Sequence, residues 1–187
     1  MFGGAAVEYD ERTMITTGIG YDIHRFAKGR RLVVGGVTIP AAQGLLGHSD
    51  ADVLAHAVTD ALLGAAGDGD IGMHFPDTDA VWKDADSVAM LGAVAARLRR
   101  RGLRALHADA TVVAQTPKLA PYRETMRRNV ARVLGVDRRH VNVKATTPEG
   151  LGALGRREGM AALAVVTVAR AAKRTSRRKG RRAAGRR

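Results

Sequence analysis

The 187-residue chain has no cysteine, which rules out disulfides, thiolate metal sites and iron–sulfur clusters. Any bound metal must therefore sit among histidines and carboxylates, a donor set that suits zinc, manganese or magnesium. Aromatic residues are scarce: three Phe, three Tyr and one Trp offer little for stacking on nucleic-acid bases. No apolar run approaches the roughly 20 residues needed to span a bilayer. The first 18 residues, MFGGAAVEYDERTMITTG, carry acids and lack an apolar centre, so they do not read as a signal peptide. A soluble, cytoplasmic protein of one domain is expected, because a chain of this length buries a sizeable core without covalent staples.

Basic charge, by contrast, is in excess at +13. From Arg170 to Arg187 (RAAKRTSRRKGRRAAGRR) there are ten Lys or Arg and no acid, and without them the +13 falls to +3. A like-charged block with no apolar periodicity is expected to be disordered, so residues 171–187 read as a disordered basic tail. Such a tail touches RNA or anionic surfaces weakly, and nucleic acid is not required as a partner.

Thr16 to Phe26 and the valine-rich Arg31 to Ile39 read as strands, with AKGR between them short enough for a hairpin. In HSDADVLAHAVTDALLGAAG, Ser49 with Asp52 three residues later imitates a capping box. Val53, Leu54, Ala57, Val58, Ala61 and Leu62 then give a helical apolar face. Gly67 to Asp86 reads as a long loop of the kind that is functional or mobile. A helix is expected over Ser87–Arg101, a strand over Ala105–Gln115, a turn at TPKLAP, a helix over Tyr122–Leu134 and a strand at HVNVKATT. MAALAVVTVAR closes the pattern as an apolar strand or helix. The order β-β-α-α-β-α-β-β predicts an α+β domain, a sheet with helices layered on one face.

Within YDIH, Asp22 and His24 are two apart on a strand and share a face, with Ile23 expected to pack behind them into the core. His56, on the second turn of the first helix, offers a third ligand, with Asp52 or Asp60 placed to orient its ring. One Asp and two His would leave a tetrahedral zinc with an open position, as catalytic sites do. Spacing alone also allows a strand that merely carries polar residues on its wet face. His48 and Ser49 sit at the helix start, where backbone N–H groups favour phosphate. Asp70, Asp77 and Asp79 lie in the long loop, either as site residues or as solvated turn formers. KATTPEGLGALGRREG gathers Lys144, Thr146, Thr147, Glu149 and Arg156 around glycines, a set suited to a diphosphate and a bridging Mg²⁺, or simply to a charged surface loop.

GYDIHRF, VGGVTIP, GLLGHSDADVLAHAVTDALLGAAGDGDIGMHFPDTD, AQTPKLAP and VNVKATTPEGLGALGRREG occur here in one order. Together they closely resemble the 2-C-methyl-D-erythritol 2,4-cyclodiphosphate synthase family. The resemblance covers residues 17–170, leaving 1–16 as an N-terminal extension. It implies a mixed β-sheet domain with helices on one face, related to the ferredoxin-like folds and assembling as a homotrimer with active sites between subunits. It also implies conversion of 4-diphosphocytidyl-2-C-methyl-D-erythritol 2-phosphate to the cyclic diphosphate with release of CMP.

Residue by residue, Asp22, His24 and His56 match the family's zinc ligands. Glu149 matches the ligand of a second ion, Mg²⁺ or Mn²⁺, held with the diphosphate. His48 and Ser49 match the phosphate end of the substrate site, and His48 with Thr147 the positions that assist the transition state. Asp70, Ile71 and Gly72, then Phe75, Pro76, Asp77, Thr78 and Asp79, match the loop over the methylerythritol. Ala114, Gln115, Thr116, Pro117, Lys118, Leu119 and Ala120 match the cytidine diphosphate pocket. Thr146, Pro148, Ala153 and Arg156 complete that side, although Ala153 stands where the family pattern leads one to expect an aromatic.

Two other readings share these residues. One is a basic RNA- or nucleotide-binding module with structural acids, against which the few aromatics count. The other is a phosphohydrolase using an open zinc position to activate water.

Overall fold

The structure, a computed structural model, describes residues 14–170. Its frame is a five-stranded sheet in the order β4-β1-β7-β5-β6. These strands are β1 (Ile15–Ala27), β4 (Gly44–Leu45), β5 (Leu103–Val113), β6 (Val141–Thr146) and β7 (Gly159–Arg170). Only β5 and β6 run parallel; every other pair is antiparallel. β1 begins at Ile15, two residues inside the segment read as an extension. The rest of that extension and the tail from residue 171 lie outside the described residues.

The last apolar stretch forms β7, at the centre of the sheet. Its Ala164, Val166 and Val168 point inward while Leu163 and Val165 point outward, the period-two alternation of a strand rather than a helix. Helices α1 (Val53–Ala66), α3 (Ser87–Arg100) and α4 (Arg123–Leu134) accompany the sheet, and the core of Leu54, Val58, Leu62, Leu91, Val94 and Met126 fills the space between these layers. The long loop holds a short helix, α2 (Ile71–His74), and a 3₁₀ turn at Ala80–Trp82. A further single turn, α5 (Gly152–Gly155), precedes β7.

α1 lies directly on β1. A Cβ at Gly20 would fall 2.0 Å from the Ala57 carbonyl oxygen, and one at Gly18 would fall 2.2 Å from that of Ala61. Only glycine on the strand, facing alanine on the helix, permits this approach.

Three expectations are corrected. First, Arg31–Ile39 is not one strand but two, β2 (Leu32–Val34) and β3 (Val37–Ile39), which pair only with each other. Gly35 and Gly36, at φ 59° and 69°, turn the chain between them, and β1 pairs with β4 instead of forming the expected hairpin. Second, the cap of α1 is Asp52 and not Ser49. The fully buried Asp52 carboxylate accepts from the backbone N–H of Leu54, Ala55, Gly35 and Gly36, clasping the β2–β3 turn to the helix start. Third, Ile23 does not face the core. It lies on the uncovered side of the sheet with Ile15, Ile19, Tyr21, Leu163 and Val165, and it is 49% exposed.

Candidate metal centre and substrate cavity

Alternation along β1 turns Asp22 and His24 toward the helices, and the close seating of α1 brings His56 to them. His56 stands in the first turn of α1, one turn earlier than expected. His24 Nε2 and His56 Nδ1 each lie 3.0 Å from Asp22 Oδ2 and 3.2 Å from each other. Donors bound at about 2.0–2.1 Å to one tetrahedral ion stand roughly 3.3 Å apart, so the three atoms already outline one face of such a site.

The outer nitrogens confirm the fit. His24 Nδ1 is 2.9 Å from the Leu46 carbonyl oxygen, which only accepts, so this nitrogen carries the proton and Nε2 presents its lone pair. His56 Nε2 lies 2.9 Å from Ser87 Oγ and 3.1 Å from Ser49 Oγ. The Ser87 hydroxyl donates to the Asp50 carboxylate, so its oxygen accepts from His56 Nε2–H. In the neutral ring this leaves the Nδ1 lone pair aimed at the centre. Two lone pairs and a carboxylate facing one point repel unless a cation joins them, and the donor set therefore fits a divalent metal.

Sequence reasoning missed Ser87 and Asp50 and gave their task to Asp52 or Asp60. Asp52 is committed to its four backbone donors, and Asp60 accepts from Ile71 N at 2.7 Å. Nothing in the sequence marks Ser87, which α3 brings to His56 across 31 positions. Arg30 was missed too. Its guanidinium donates to the carbonyls of Leu45, Gly47 and Ser49 and to Asp84, holding the segment that carries His48. Substituting Ser87→Ala should weaken zinc binding by about 10–100-fold, the range for losing such an outer partner. Competition with a chromophoric chelator measures it, and an unchanged affinity would show that Ser49 alone orients the ring.

Burial pushes the Asp22 carboxyl up, but the two imidazoles, which donate to it when protonated, outweigh burial and hold the group well below the ordinary carboxylate range. Burial pushes His56 down, and the Asp22 carboxylate more than offsets this, so the ring keeps its proton above the usual histidine range. In the metal-free protein this raised value stabilises the fold at low pH and is lost as pH rises through it. A metal must displace the same proton from Nδ1. Apparent zinc affinity should therefore fall about tenfold per pH unit below that raised value, which zinc titrations across a pH series would show.

The triad opens into a cavity of about 500 Å³, walled also by His48, Ser49, Ile71, Gly72, Phe75, Pro76 and Asp77. His48 Nε2 donates to the Asp79 carbonyl at 3.1 Å, tying the phosphate-side segment to the long loop. Asp70 caps α2 through Met73 N, and Asp79 caps the 3₁₀ turn through Val81 N, whereas Thr78 is exposed outside the wall. Phe75 stacks edge-on against Trp82 with centroids 4.8 Å apart, giving the loop its own small apolar anchor.

A second cavity, of about 190 Å³, is lined by Ala114, Gln115, Pro117, Lys118, Leu119 and Ala120 together with Ala145, Thr146 and Thr147. The Thr116–Pro117 peptide is cis, and Thr116 itself lines a neighbouring depression. Gln115 accepts from Gly150 N at 3.0 Å, and Thr147 donates its hydroxyl to Glu149. Pro148 is half-buried, Ala153 sits exposed on α5, and Arg156 pairs with Glu158 at 2.6 Å. Within one chain the two cavities share no lining residue, so Thr147 and the Asp22 centre are not brought together.

Fold and site define a single-domain α+β protein with a histidine–aspartate triad able to hold a metal ion, set in a cavity of about 500 Å³. The chain belongs to the YgbB family, which it matches over residues 15–169. It is 59% identical over 154 residues to the 2-C-methyl-D-erythritol 2,4-cyclodiphosphate synthase of Syntrophomonas wolfei, covering 82% of this chain and 98% of that protein. Among solved structures it is similar to the bifunctional IspDF of Campylobacter jejuni, with TM-score 0.81 and 46% identity over 84% of this chain and 43% of the other. It is also similar to a CDP complex of IspF from Plasmodium falciparum, with TM-score 0.73 and 31% identity over 84% and 97%. Among the described residues no helix is long and apolar enough to cross a membrane.

Proposed function

We propose that the chain is a 2-C-methyl-D-erythritol 2,4-cyclodiphosphate synthase of the non-mevalonate isoprenoid pathway, a phosphorus–oxygen lyase working in the cytoplasm. The observation that carries the reading is the convergence of Asp22, His24 and His56 in a chain 59% identical to a synthase of that name over 98% of that synthase's length. An oxygen of the substrate's 2-phosphate attacks the β-phosphorus of the diphosphocytidyl group, and the bond from that phosphorus to CMP breaks, CMP leaving with the electron pair. The nucleophile is already anionic at neutral pH, so no strong base is required; alignment and charge repulsion are the obstacles.

His48 and Ser49 hold the phosphate end beside the triad, and the loop carrying Phe75 and Asp77 closes over the sugar alcohol. The segment Ala114–Ala120 with Thr146 takes the cytidine diphosphate, and Thr147 assists at the transition state. Asp22, His24 and His56 would hold zinc, and Glu149 would hold Mg²⁺ or Mn²⁺ with the diphosphate; both ions would supply charge neutralisation on phosphate oxygens.

A homotrimer of a ferredoxin-like-related domain belongs to this reading. It is supported by the separation of the two cavities in one chain and by the apolar face of Ile19, Tyr21, Ile23, Leu163 and Val165. Incubation of the protein with the diphosphocytidyl substrate, Zn²⁺ and Mg²⁺, followed by ³¹P NMR, tests the function. A cyclic diphosphate with equimolar CMP is expected. A linear bisphosphate would instead make the protein a phosphohydrolase, and no turnover would sink the reading.

A further inference from the structure

His56 and Asp60 stand four residues apart on α1, and so on one face of it. His56 belongs to the triad. Asp60 is half-buried, and its carboxylate accepts from the backbone N–H of Ile71 at 2.7 Å. Ile71 opens α2, and Ile71 with Gly72 walls the cavity into which the triad opens. One helix therefore places a candidate metal ligand directly and a wall of the substrate cavity through a single hydrogen bond.

Packing does little to hold α2. None of its four residues is fully buried, and Met73 is 72% exposed. A helix of one turn is not stable by itself, so its place depends on hydrogen bonds. Asp70 caps it through Met73 N, a bond internal to the loop. His74 Nε2 donates to the Asp68 carbonyl at 2.7 Å, and the Asp68 carboxylate pairs with Arg97 of α3 at 3.1 Å and with Arg101 just past it at 2.7 Å. That chain of contacts ties the end of α2 toward α3. Asp60 ties its start to α1, and does so with a charged acceptor, which makes a stronger bond than a neutral pair.

We propose that Asp60 is a positioning residue for the substrate: by holding Ile71 N–H it sets the loop wall against the helix that carries His56, so the sugar alcohol and the phosphate end meet a prealigned site. The role rests on the reading of this loop as the cover of the methylerythritol unit. Asp60 does not itself line the cavity, so it acts through Ile71 and Gly72. Without the bond the loop spends part of its time displaced, and apparent affinity falls with the fraction of molecules still competent to bind. Losing a hydrogen bond to a charged group shifts such an equilibrium by about tenfold or more.

The test compares Asp60→Ala and Asp60→Asn with the parent chain. Both remove the charge, but the Asn side-chain oxygen still accepts from Ile71 N–H. The Ala variant should raise KM for the diphosphocytidyl substrate by about tenfold with kcat within about threefold, the pattern of lost binding rather than lost chemistry. The Asn variant should bring KM back to within about threefold of the parent. Trp82 is the only tryptophan and stacks on Phe75, the residue that ends α2, so its fluorescence reports the loop without substrate or turnover. Acrylamide quenching of Trp82 should rise in the Ala variant and match the parent in the Asn variant. Zinc affinity, by chelator competition, should be equal in the two. Thermal melts check folding, and Asp60→Ser, too short to reach Ile71 N, serves if the Ala variant does not fold. Ala and Asn variants that behave alike overturn the proposal, as does a fall in kcat at unchanged KM. If the parent turns over no such substrate, the functional reading falls, and equal Trp82 quenching in all the proteins is then the result that overturns the loop role.

Discussion

Replacing His56 with alanine is expected to cost zinc affinity by more than about 100-fold, beyond the range for losing an outer partner alone. One of the three converging donors disappears, and the Asp22 carboxylate loses one of the two imidazoles that stabilise its charge. CMP release should fall by at least about 10³-fold, as expected when one member of a group acting as a unit is lost. The fold should survive, because the ring lines a cavity rather than filling the core, and the helix gains a residue of higher propensity. Zinc stoichiometry by elemental analysis, a turnover assay and a thermal melt separate the effects. A variant that retains one zinc per chain and turns over within tenfold of the parent would show that the metal centre lies elsewhere.

Gly20→Ala should destabilise the fold strongly. The new Cβ would stand 2.0 Å from the Ala57 carbonyl oxygen, and the obstacle is helix backbone, not a side chain able to turn aside. Either α1 moves off β1 or the strand bends, and overpacking of this kind costs about 3 kcal/mol. For a chain of this size that lowers the melting temperature by about 10 °C. The same displacement carries His56 away from Asp22, so zinc affinity should fall together with stability. A melt within about 2 °C of the parent would mean that the helix does not rest on the strand at that point.

Much of this was legible because period and spacing are local. The apolar repeat of α1, the i, i+2 pair on β1 and the order of strands and helices follow from side-chain geometry along single segments. Asp22, His24 and His56 do converge, and the loop residues Ile71, Gly72, Phe75 and Asp77 do share their cavity. What escaped depends on contacts between distant segments. Asp52 looked like one half of a capping box because the competing donors, Gly35 and Gly36, are 17 and 16 positions away. Ser87 looked like an ordinary helix start. Ile23 was given to the core because a strand pattern cannot say which of its two faces the helices will cover. The valine-rich run was read as one strand, although its paired glycines favour a reversal.

β1 also works as a register gauge. Thr16, Gly18, Gly20, Asp22 and His24 share one side of it, and Ile19, Tyr21 and Ile23 the other. Sliding β1 by one residue against β7 would exchange these sides, putting isoleucine or tyrosine under a helix that tolerates only hydrogen. The two glycines thus reject a misaligned strand during folding, before any metal is present to test the alignment. Their contribution to chemistry is to fix the phase of a strand whose candidate ligands come two and four residues after Gly20.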